Sequence, residues 1–516
     1  MPHQAPINLG LRIVVAISAG YVCHFAFAPY TFWSLAMLCP AVLAFLFERQ
    51  SLKISLALAY SFGIGLFGGG VSWVFVSINT YGFTDTLPAL ALTSVFISFL
   101  ALVFSLPFYI YLRFITPSTM RLLLAFPAIW VLGEWLRTWL FTGFPWLFMG
   151  YAHINSSLAS WAPIGGVFTL SFLGIFTALA LIHSARMFYR RYRLHHDNSL
   201  ISARISLAFC VVIWLCAAPL GSIEWTQTKG EKVNTVLLQP NIPLEVKWNP
   251  YEHQKIAIDL DEMASQHWDA DLQIWPEAAI PGVYSYAQDF VDSINTRAID
   301  SQVSILTGAA YDTPERAIYN SIVGLGTATG IYHKQRLVPF GEYMPFEKQL
   351  RGLIAFFNLP NSVIEVGPHI KEPIMAKTRK GLDYAIAPYI CYEVVYPDLV
   401  AASAASANVL VTISNDAWFG DSIGPIQHFQ MAQMRALEHQ KTMIRATNTG
   451  LSGIIDERGH VQSSIKQFER QILVTDIELR YGSTPFTRWG SWPIILMCFG
   501  FFAYAIFNSQ RKARSQ

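Results

Sequence analysis

The sequence predicts an α-helical membrane domain of eight spans and a water-facing α/β domain between the seventh and eighth spans. Composition is the first indication, because the chain is 53% hydrophobic and only 14% charged, whereas soluble proteins carry about 25% charged residues. The distribution of charge is the second. Residues 1–220 hold four acidic residues against eleven Lys and Arg, while residues 221–489 hold thirty against twenty-two. An apolar half therefore precedes a half with the charge content of a water-exposed domain.

Apolar runs long enough to cross a bilayer, about 20 residues each, define the predicted spans. The second run is short and contains Pro40. The first could be a cleaved signal peptide, but its length and the run that follows at once favour a membrane anchor. The runs lie near residues 11–29, 31–47, 54–78, 88–112, 120–141, 161–183, 203–220 and 490–508. We therefore expect a membrane domain at 1–220, a water-facing domain at 221–489, and the eighth span with a cytoplasmic tail at 490–516.

Lys and Arg in the short loops predict the orientation. If the N-terminus is cytoplasmic, the inside segments all carry basic residues, such as Arg49 and Lys53. The opposite loops, near 29–30, 79–88 and 142–160, carry none. This asymmetry predicts that residues 221–489 lie outside the cytoplasm. The net charge of +2 by itself says little about partners. Nothing in the sequence resembles the clustered basic residues of a nucleic-acid-binding protein.

Two charged residues, Glu134 and Arg137, lie one helical turn apart in the fifth run. Charges inside a membrane suggest function. Because these two can pair with each other, we favour a structural role over a catalytic one.

Short apolar segments alternate with helix-like segments in residues 221–489, which predicts a layered α/β domain. At about 260 residues, such a domain can bury its own core. Candidate catalytic residues are then expected just after strands. Strands are predicted at 233–239, 271–275, 303–308, 384–390 and 409–414, and helices at 250–266 and 428–440.

The segment YICYEVVYP, residues 389–397, holds the only cysteine of this half of the sequence. The other five lie in apolar runs, where a cysteine acts as a small hydrophobic residue. Extracytoplasmic compartments favour disulfides, yet Cys391 has no partner in its own domain. It directly follows a predicted strand, where a nucleophilic thiol can be exposed. A buried, inert cysteine is the alternative.

A thiol with a pKa of about 8.5 needs a base or a nearby cation to react at neutral pH. None of the seven histidines in residues 221–489 has metal-binding spacing or a catalytic context, so each is interpreted as a surface residue. Glu277 follows a predicted strand in the string WPE, and Lys334 lies in YHKQRLVPFGEYMP. Taken singly, each is a weak indication.

Together, Glu277, Lys334 and Cys391 resemble the Glu-Lys-Cys triad of the nitrilase superfamily, whose members fold as an αββα sandwich. The strings WPE, HKQRLVPFGEYMP, ICYE and SNDAWFG, combined with eight spans, resemble the membrane-embedded branch of that superfamily most closely. That branch is formed by the apolipoprotein N-acyltransferases of bacteria. The resemblance covers essentially the whole chain, including GEWLR and FTGFPWL in the early spans.

The resemblance implies a multi-pass protein of the bacterial inner membrane whose catalytic domain faces the periplasm. It implies that Cys391 takes an acyl chain from a phospholipid, expected to be the sn-1 chain of phosphatidylethanolamine. The chain then passes from a thioester to the α-amine of a diacylated apolipoprotein. Glu277 would take the thiol proton, while Lys334 and the backbone N–H of Tyr392 would stabilise the oxyanion. The sulfur is thus expected to be ionised between a carboxylate and an ammonium group.

No cofactor or metal is implied, because thiol acyl chemistry needs none. The expected partners are the phospholipid, the apolipoprotein and the lipid bilayer. We expect a monomer.

By resemblance, Glu342 would hold or tune Lys334, and Glu393 would support the loop at Cys391. Arg445, in the string RATNTG, is expected to order the site through pairing. Asn415 and Asp416 are interpreted as turn residues first and as substrate contacts second. Four aromatic residues would exclude water from the thioester, although core packing is their alternative role, and for Trp248 the two are equally favoured. These are Tyr392, Tyr343, Trp418 and Trp248.

The strongly apolar segment 350–360 is predicted to be a mobile arm that dips into the outer leaflet and admits lipid chains. A buried core helix is the alternative.

Two other functions remain open. A membrane-tethered amidase or nitrile hydrolase would use the same triad on small soluble substrates without needing the spans. A transporter or scaffold would tolerate the loss of the Cys391 thiol. The spans and the triad together favour a lipid substrate.

Overall fold

The computed structural model of the chain describes residues 8–193, 200–339, 341–343, 364–369 and 372–514. The chain divides into two compact units. The first, the helical unit, comprises Met1–Ile78, Thr84–Ile223 and Ser491–Gln516. The second, the α/β unit, comprises Asn79–Phe83 and Glu224–Gly490.

The helical unit contains six helical stretches that are long and apolar enough to cross a membrane, within the described residues. The second predicted run is a shorter apolar helix, Leu35–Leu46. The fifth is a π-helical turn, Arg121–Ala125, followed by the helix Phe126–Leu136. The structure therefore supports several membrane spans, and the number eight remains a prediction. The α-helices are Leu9–Cys23, Leu35–Leu46, Leu52–Gly70, Val74–Val76, Thr86–Phe114, Phe126–Leu136, Ala162–Tyr192, Ile201–Gly221 and Trp492–Arg514.

Glycines allow two of these helices to touch backbone to backbone. A Cβ atom on Gly20 would lie 2.0 Å from the carbonyl oxygen of Phe62, and one on Gly65 would lie 2.1 Å from that of Ile17. Larger residues at either position would separate Leu9–Cys23 from Leu52–Gly70. Such small-residue contacts are typical of helix packing in membranes.

Glu134 and Arg137 are buried, and both bond to the backbone that follows their helix. Glu134 Oε1 accepts a hydrogen bond from the N–H of Met149 at 2.7 Å. Arg137 Nη1 donates to the carbonyl of Trp146 at 2.8 Å. The two charges thus hold the same short segment in place, which is a structural use.

The α/β unit contains two six-stranded sheets within the described residues. The strands are β1 Thr226–Gln239, β2 Leu272–Ile274, β3 Ser304–Asp312, β4 Ile318–Gly326, β5 Ile331–His333, β6 Ile374–Lys377, β7 Asp383–Ile390, β8 Val409–Ser414, β9 Met443–Thr447, β10 Ser452–Ile455, β11 Val461–Ile465 and β12 Gln471–Gly482. The strand order is β12-β1-β2-β3-β4-β5 in one sheet and β11-β10-β9-β8-β7-β6 in the other. Strands β1 to β3 run parallel to one another, as do β7 to β9.

Apolar side chains from both sheets form one buried cluster, which includes Leu237 of β1 and Ile386 of β7. A second cluster joins the first sheet to two helices through residues such as Leu260 and Ile294. The fully buried strands explain why their sequences are continuous apolar runs. Within the described residues, the α-helices of this unit are Leu244–Lys247, His253–Ser265, Gln288–Asp300, Pro397–Ala404, Gly424–His439 and Pro485–Trp489.

Candidate active site

The three residues of the predicted triad each follow a strand. Glu277 comes three residues after β2, Lys334 directly follows β5, and Cys391 directly follows β7. Glu277 and Lys334 are 7% and 1% exposed, and Cys391 is half-buried. The structure therefore gathers a carboxylate, an ammonium group and a thiol in one largely buried site.

Lys334 lies between two carboxylates. Its Nζ is 2.8 Å from Glu342 Oε1 and 3.5 Å from Glu277 Oε1. Burial favours the uncharged lysine and by itself would lower its pKa. The nearby Glu342, Glu277 and Cys391 outweigh burial and raise the pKa of Lys334 well above its ordinary value. The side chain is therefore a permanent cation.

Asn320 joins the same two carboxylates, although sequence reasoning missed it. Its Nδ2 donates to Glu277 Oε1 at 2.7 Å and to Glu342 Oε1 at 2.8 Å. The second oxygen of Glu342 accepts from the N–H of Val338 at 2.8 Å. A polar residue within the apolar strand β4 was the available signal.

Glu277 is also fixed from two other sides. Its Oε2 accepts from the backbone N–H of Asn415 at 2.7 Å. Its carbonyl oxygen accepts from the buried Lys247 Nζ at 2.8 Å. Burial lowers the pKa of Lys247 to about 8, although Glu277 opposes that shift. Lys247 was not expected from the sequence, and the Asn415 contact is made by its backbone.

Cys391 adopts a left-handed backbone conformation, with φ of 51°, which is uncommon for a residue with a side chain. Burial and Glu277 raise the pKa of its thiol to about 12, although Lys334 lowers it. The resting sulfur is therefore protonated. The expectation of an ionised sulfur was wrong, because the carboxylate and the loss of solvent outweigh the single cation.

Glu393 is fully buried and connects the turn at Cys391 to the segment after Lys334. Its Oε2 accepts from the N–H of Ile390 at 2.8 Å. Its Oε1 accepts from the N–H groups of Gln335 at 2.6 Å and Arg336 at 3.2 Å. Burial raises the pKa of Glu393 to about 7, although the N–H groups of Ile390 and Gln335 oppose that shift.

Arg445 and Asp416 form a fully buried ion pair, with Nη2 and Oδ2 2.7 Å apart. Burial opposes ionisation, but Arg445 and His428 lower the pKa of Asp416 well below its usual range. The interpretation of Asp416 as a turn residue was thus incomplete. The interpretation of every histidine as a surface residue was wrong, because His428 is 1% exposed and its Nε2 lies 3.1 Å from the carbonyl oxygen of Cys391. Sequence patterns do not report such burial, since it depends on tertiary packing.

The four predicted aromatic residues differ in exposure. Tyr392 is buried, and its ring packs edge-on against Tyr396 with centroids 5.3 Å apart. Burial, Tyr396 and Tyr343 all raise the pKa of Tyr392, which places the three phenols together. Trp418 and Trp248 are 37% and 52% exposed, so neither packs in a core. The predicted arm at 350–360 lies outside the described residues.

Two family models match the chain: the apolipoprotein N-acyltransferase N-terminal domain over residues 19–180, and the carbon-nitrogen hydrolase over residues 237–484. A curated relative named apolipoprotein N-acyltransferase, from Pseudomonas syringae pv. tomato, is 38% identical over 500 residues, which cover 96% of each chain. The protein of that name from Vibrio cholerae serotype O1 is 37% identical over 516 residues, which cover 98% of each chain.

Proposed function

The chain belongs to the apolipoprotein N-acyltransferase family, and from that premise we propose how its residues carry out acyl transfer. As a member, it is an acyltransferase of lipoprotein maturation that works on a lipoprotein acceptor in a lipid environment. Its apolar helices make it a membrane protein, and its bacterial relatives point to the inner membrane. The donor, the intermediate and the residue roles are our proposal.

In the first half-reaction, the Cys391 sulfur attacks the sn-1 ester carbonyl of phosphatidylethanolamine while Glu277 takes the thiol proton. A protonated resting thiol requires this transfer to accompany the attack. Lys334 and the N–H of Tyr392 stabilise the oxyanion. The ester C–O bond then breaks, the lysophospholipid oxygen takes the proton from Glu277, and an acyl thioester remains on Cys391.

In the second half-reaction, the α-amine of the S-diacylglyceryl cysteine attacks the thioester. Glu277 takes a proton from the amine, the C–S bond breaks, and the proton passes to the departing sulfur. The product is an amide, which is more stable than the thioester. Tyr343, Tyr392, Trp418 and Trp248 keep water from hydrolysing the intermediate.

One observation carries this proposal above all. Glu277, Lys334 and Glu342 form a largely buried charged cluster that is coupled electrostatically to a half-buried thiol. Burying charges is costly unless they are used or paired, and perturbed groups of this kind cluster at catalytic sites. Glu342 holds Lys334, Glu393 supports the turn at Cys391, and Arg445 orders the site through Asp416.

The architecture that we propose follows the same premise. Eight spans tether an αββα catalytic domain, residues 221–489, on the periplasmic side of the membrane. Residues 1–220 supply seven spans and residues 490–516 supply the eighth. The enzyme acts as a monomer.

A transfer assay tests the donor and the acceptor together. Phosphatidylethanolamine vesicles with different chains at sn-1 and sn-2 are incubated with the full-length enzyme and a diacylated lipopeptide. We expect an amide that carries the sn-1 chain, and none from Cys391→Ala. Transfer of the sn-2 chain would contradict the donor position. Hydrolysis of small soluble amides without lipopeptide acylation would favour the amidase instead.

A further inference from the structure

His428 is a buried residue that contacts the backbone of Cys391, the proposed nucleophile. The residue belongs to the helix Gly424–His439 and is 1% exposed. Its Nε2 lies 3.1 Å from the carbonyl oxygen of Cys391. The chemistry described above gives this buried histidine no role.

The neighbours of His428 determine which nitrogen carries the proton. A carbonyl oxygen can only accept, so Nε2 must carry a hydrogen atom and donate it to Cys391. Nδ1 lies 3.0 Å from Arg445 Nη2, which can only donate, and 3.3 Å from Asp416 Oδ1, which can only accept. Burial and Arg445 lower the pKa of His428, although Asp416 opposes that shift. Nε2 therefore carries a hydrogen atom whichever of the two partners Nδ1 binds.

A chain of buried groups holds this ring in place. Asp416 Oδ1 accepts from the hydroxyl of Ser414 at 2.7 Å, and its Oδ2 accepts from Arg445 Nη2 at 2.7 Å. Asp416 and Arg445 are 2% and 0% exposed. Because β8, β9 and the helix Gly424–His439 each contribute a member, the imidazole has little freedom to turn.

The bond to Cys391 acts on the next peptide group. A peptide unit is planar and trans, so its C=O and N–H point in opposite directions. When His428 holds the carbonyl of Cys391, the N–H of Tyr392 must point away from His428. This N–H is the proposed oxyanion donor, and Cys391 has the uncommon left-handed φ of 51°, a conformation that needs such external support.

We propose that His428 is a positioning residue, whose Nε2–H fixes the Cys391 carbonyl and thereby aims the Tyr392 N–H at the oxyanion. The inference rests on the proposed function and deepens it. His428 neither activates the thiol nor touches the substrate.

Two substitutions distinguish the role of Nε2 from that of Nδ1. His428→Gln places an amide N–H near the position of Nε2 and retains the bond to Cys391, but loses the acceptor for Arg445. His428→Asn places its polar atoms near Nδ1, on the side of Arg445 and Asp416, and leaves the Cys391 carbonyl without a donor. If His428 serves only packing or the contact with Arg445, the His428→Gln variant should be acylated no faster than His428→Asn.

The full-length variants are compared in two reactions at Cys391. Acylation by phosphatidylethanolamine vesicles, followed by intact mass, passes through an oxyanion, whereas alkylation by iodoacetamide does not. We expect His428→Asn to slow acylation on the order of 100-fold and to leave alkylation unchanged. His428→Gln should restore most of the acylation rate.

Equal acylation by both variants, or an equal loss of acylation and alkylation, would overturn the proposal. If His428→Asn does not fold, His428→Ala takes its place, because it also leaves the Cys391 carbonyl without a donor, and the same comparison with His428→Gln decides. Absence of an acyl adduct in the unaltered enzyme would overturn the proposed function and this inference together.

Discussion

At the scale of single residues, the site combines a fixed base with a thiol that keeps its proton. Glu277 accepts hydrogen bonds from Asn320 at 2.7 Å and from the backbone of Asn415 at 2.7 Å, so the direction of its carboxylate is set. The pKa of Cys391, about 12, makes spontaneous thiolate scarce at neutral pH. In the mechanism that we propose, acyl transfer therefore depends on proton transfer to Glu277 at the moment of attack, and two predictions follow at this scale.

The first concerns Glu277→Gln. Because the carboxylate raises the pKa of Cys391, its neutralisation increases the thiolate fraction, and each unit of pKa is worth about tenfold. We expect faster alkylation of Cys391 by iodoacetamide at pH 8. Acyl transfer should fall about 100-fold or more, because the general base is lost. Slower alkylation in the variant would show that Glu277 does not oppose ionisation of the thiol.

The second concerns Asn320→Ala, which removes the amide that joins Glu277 to Glu342. Loss of a buried hydrogen bond costs about 1–3 kcal/mol, equivalent to about 5- to 160-fold in rate. Steady-state acyl transfer should fall by that factor. Asn234→Ala is the matched control, since that amide donates to Asp476 at an exposed position. Similar rates of acyl transfer in both variants would show that Asn320 does not support the reaction.

At the scale of elements, Glu393 connects two loops that carry different triad members. It binds the N–H of Ile390 before the turn Cys391–Val395 and the N–H groups of Gln335 and Arg336 after Lys334. A carboxylate matches these donors, whereas Gln would turn an NH₂ group toward one of them. The relative position of thiol and ammonium thus depends on one buried acid.

This arrangement predicts a pH-dependent stability difference between the unaltered enzyme and Glu393→Gln. The pKa of Glu393 is about 7 in the fold against an ordinary value of 4.5, so the folded state favours the protonated form. That contribution is present below about pH 4.5 and is lost as the pH rises through 7. Thermal unfolding should show the stability advantage of the unaltered enzyme shrinking across this window. A growing advantage would mean that the hydrogen bonds outweigh burial.

At the scale of the whole molecule, the distribution of Lys and Arg predicts which side of the membrane each unit faces. Lys53 precedes one apolar run on the predicted cytoplasmic side, and Thr228 lies in the α/β unit. Both positions are exposed. A membrane-impermeant maleimide applied to spheroplasts should label Thr228→Cys directly and Lys53→Cys only after permeabilisation. The reverse pattern would contradict the periplasmic orientation.

Sequence periodicity predicted the strands that are buried and apolar, because such segments contrast with the turns around them. The predicted strand at 409–414 has the bounds of β8, and the predicted helix at 428–440 overlaps Gly424–His439. Strands β4 to β6 and β9 to β12 were not predicted. Strand β11 in particular is mostly exposed and buries only Ile465, so its sequence resembles that of a loop.

The candidate site was predictable only where its residues lie in strings that carry the family resemblance. Glu277, Lys334 and Cys391 lie in distinctive strings, whereas Asn320, Lys247 and His428 lie in ordinary ones. Their positions result from how β4, Leu244–Lys247 and Gly424–His439 pack around the triad. The prediction of an ionised thiol at Cys391 was wrong for a similar reason, since desolvation depends on packing that a sequence pattern does not report.

The most direct test of the account is the intact mass of the purified enzyme after incubation with phosphatidylethanolamine vesicles and no acceptor. We predict one added acyl chain that maps to Cys391, is absent from Cys391→Ala, and disappears when a diacylated lipopeptide is added. An enzyme that transfers the chain to the lipopeptide without ever acquiring acyl mass at Cys391, or that acquires it at another residue, would contradict the account.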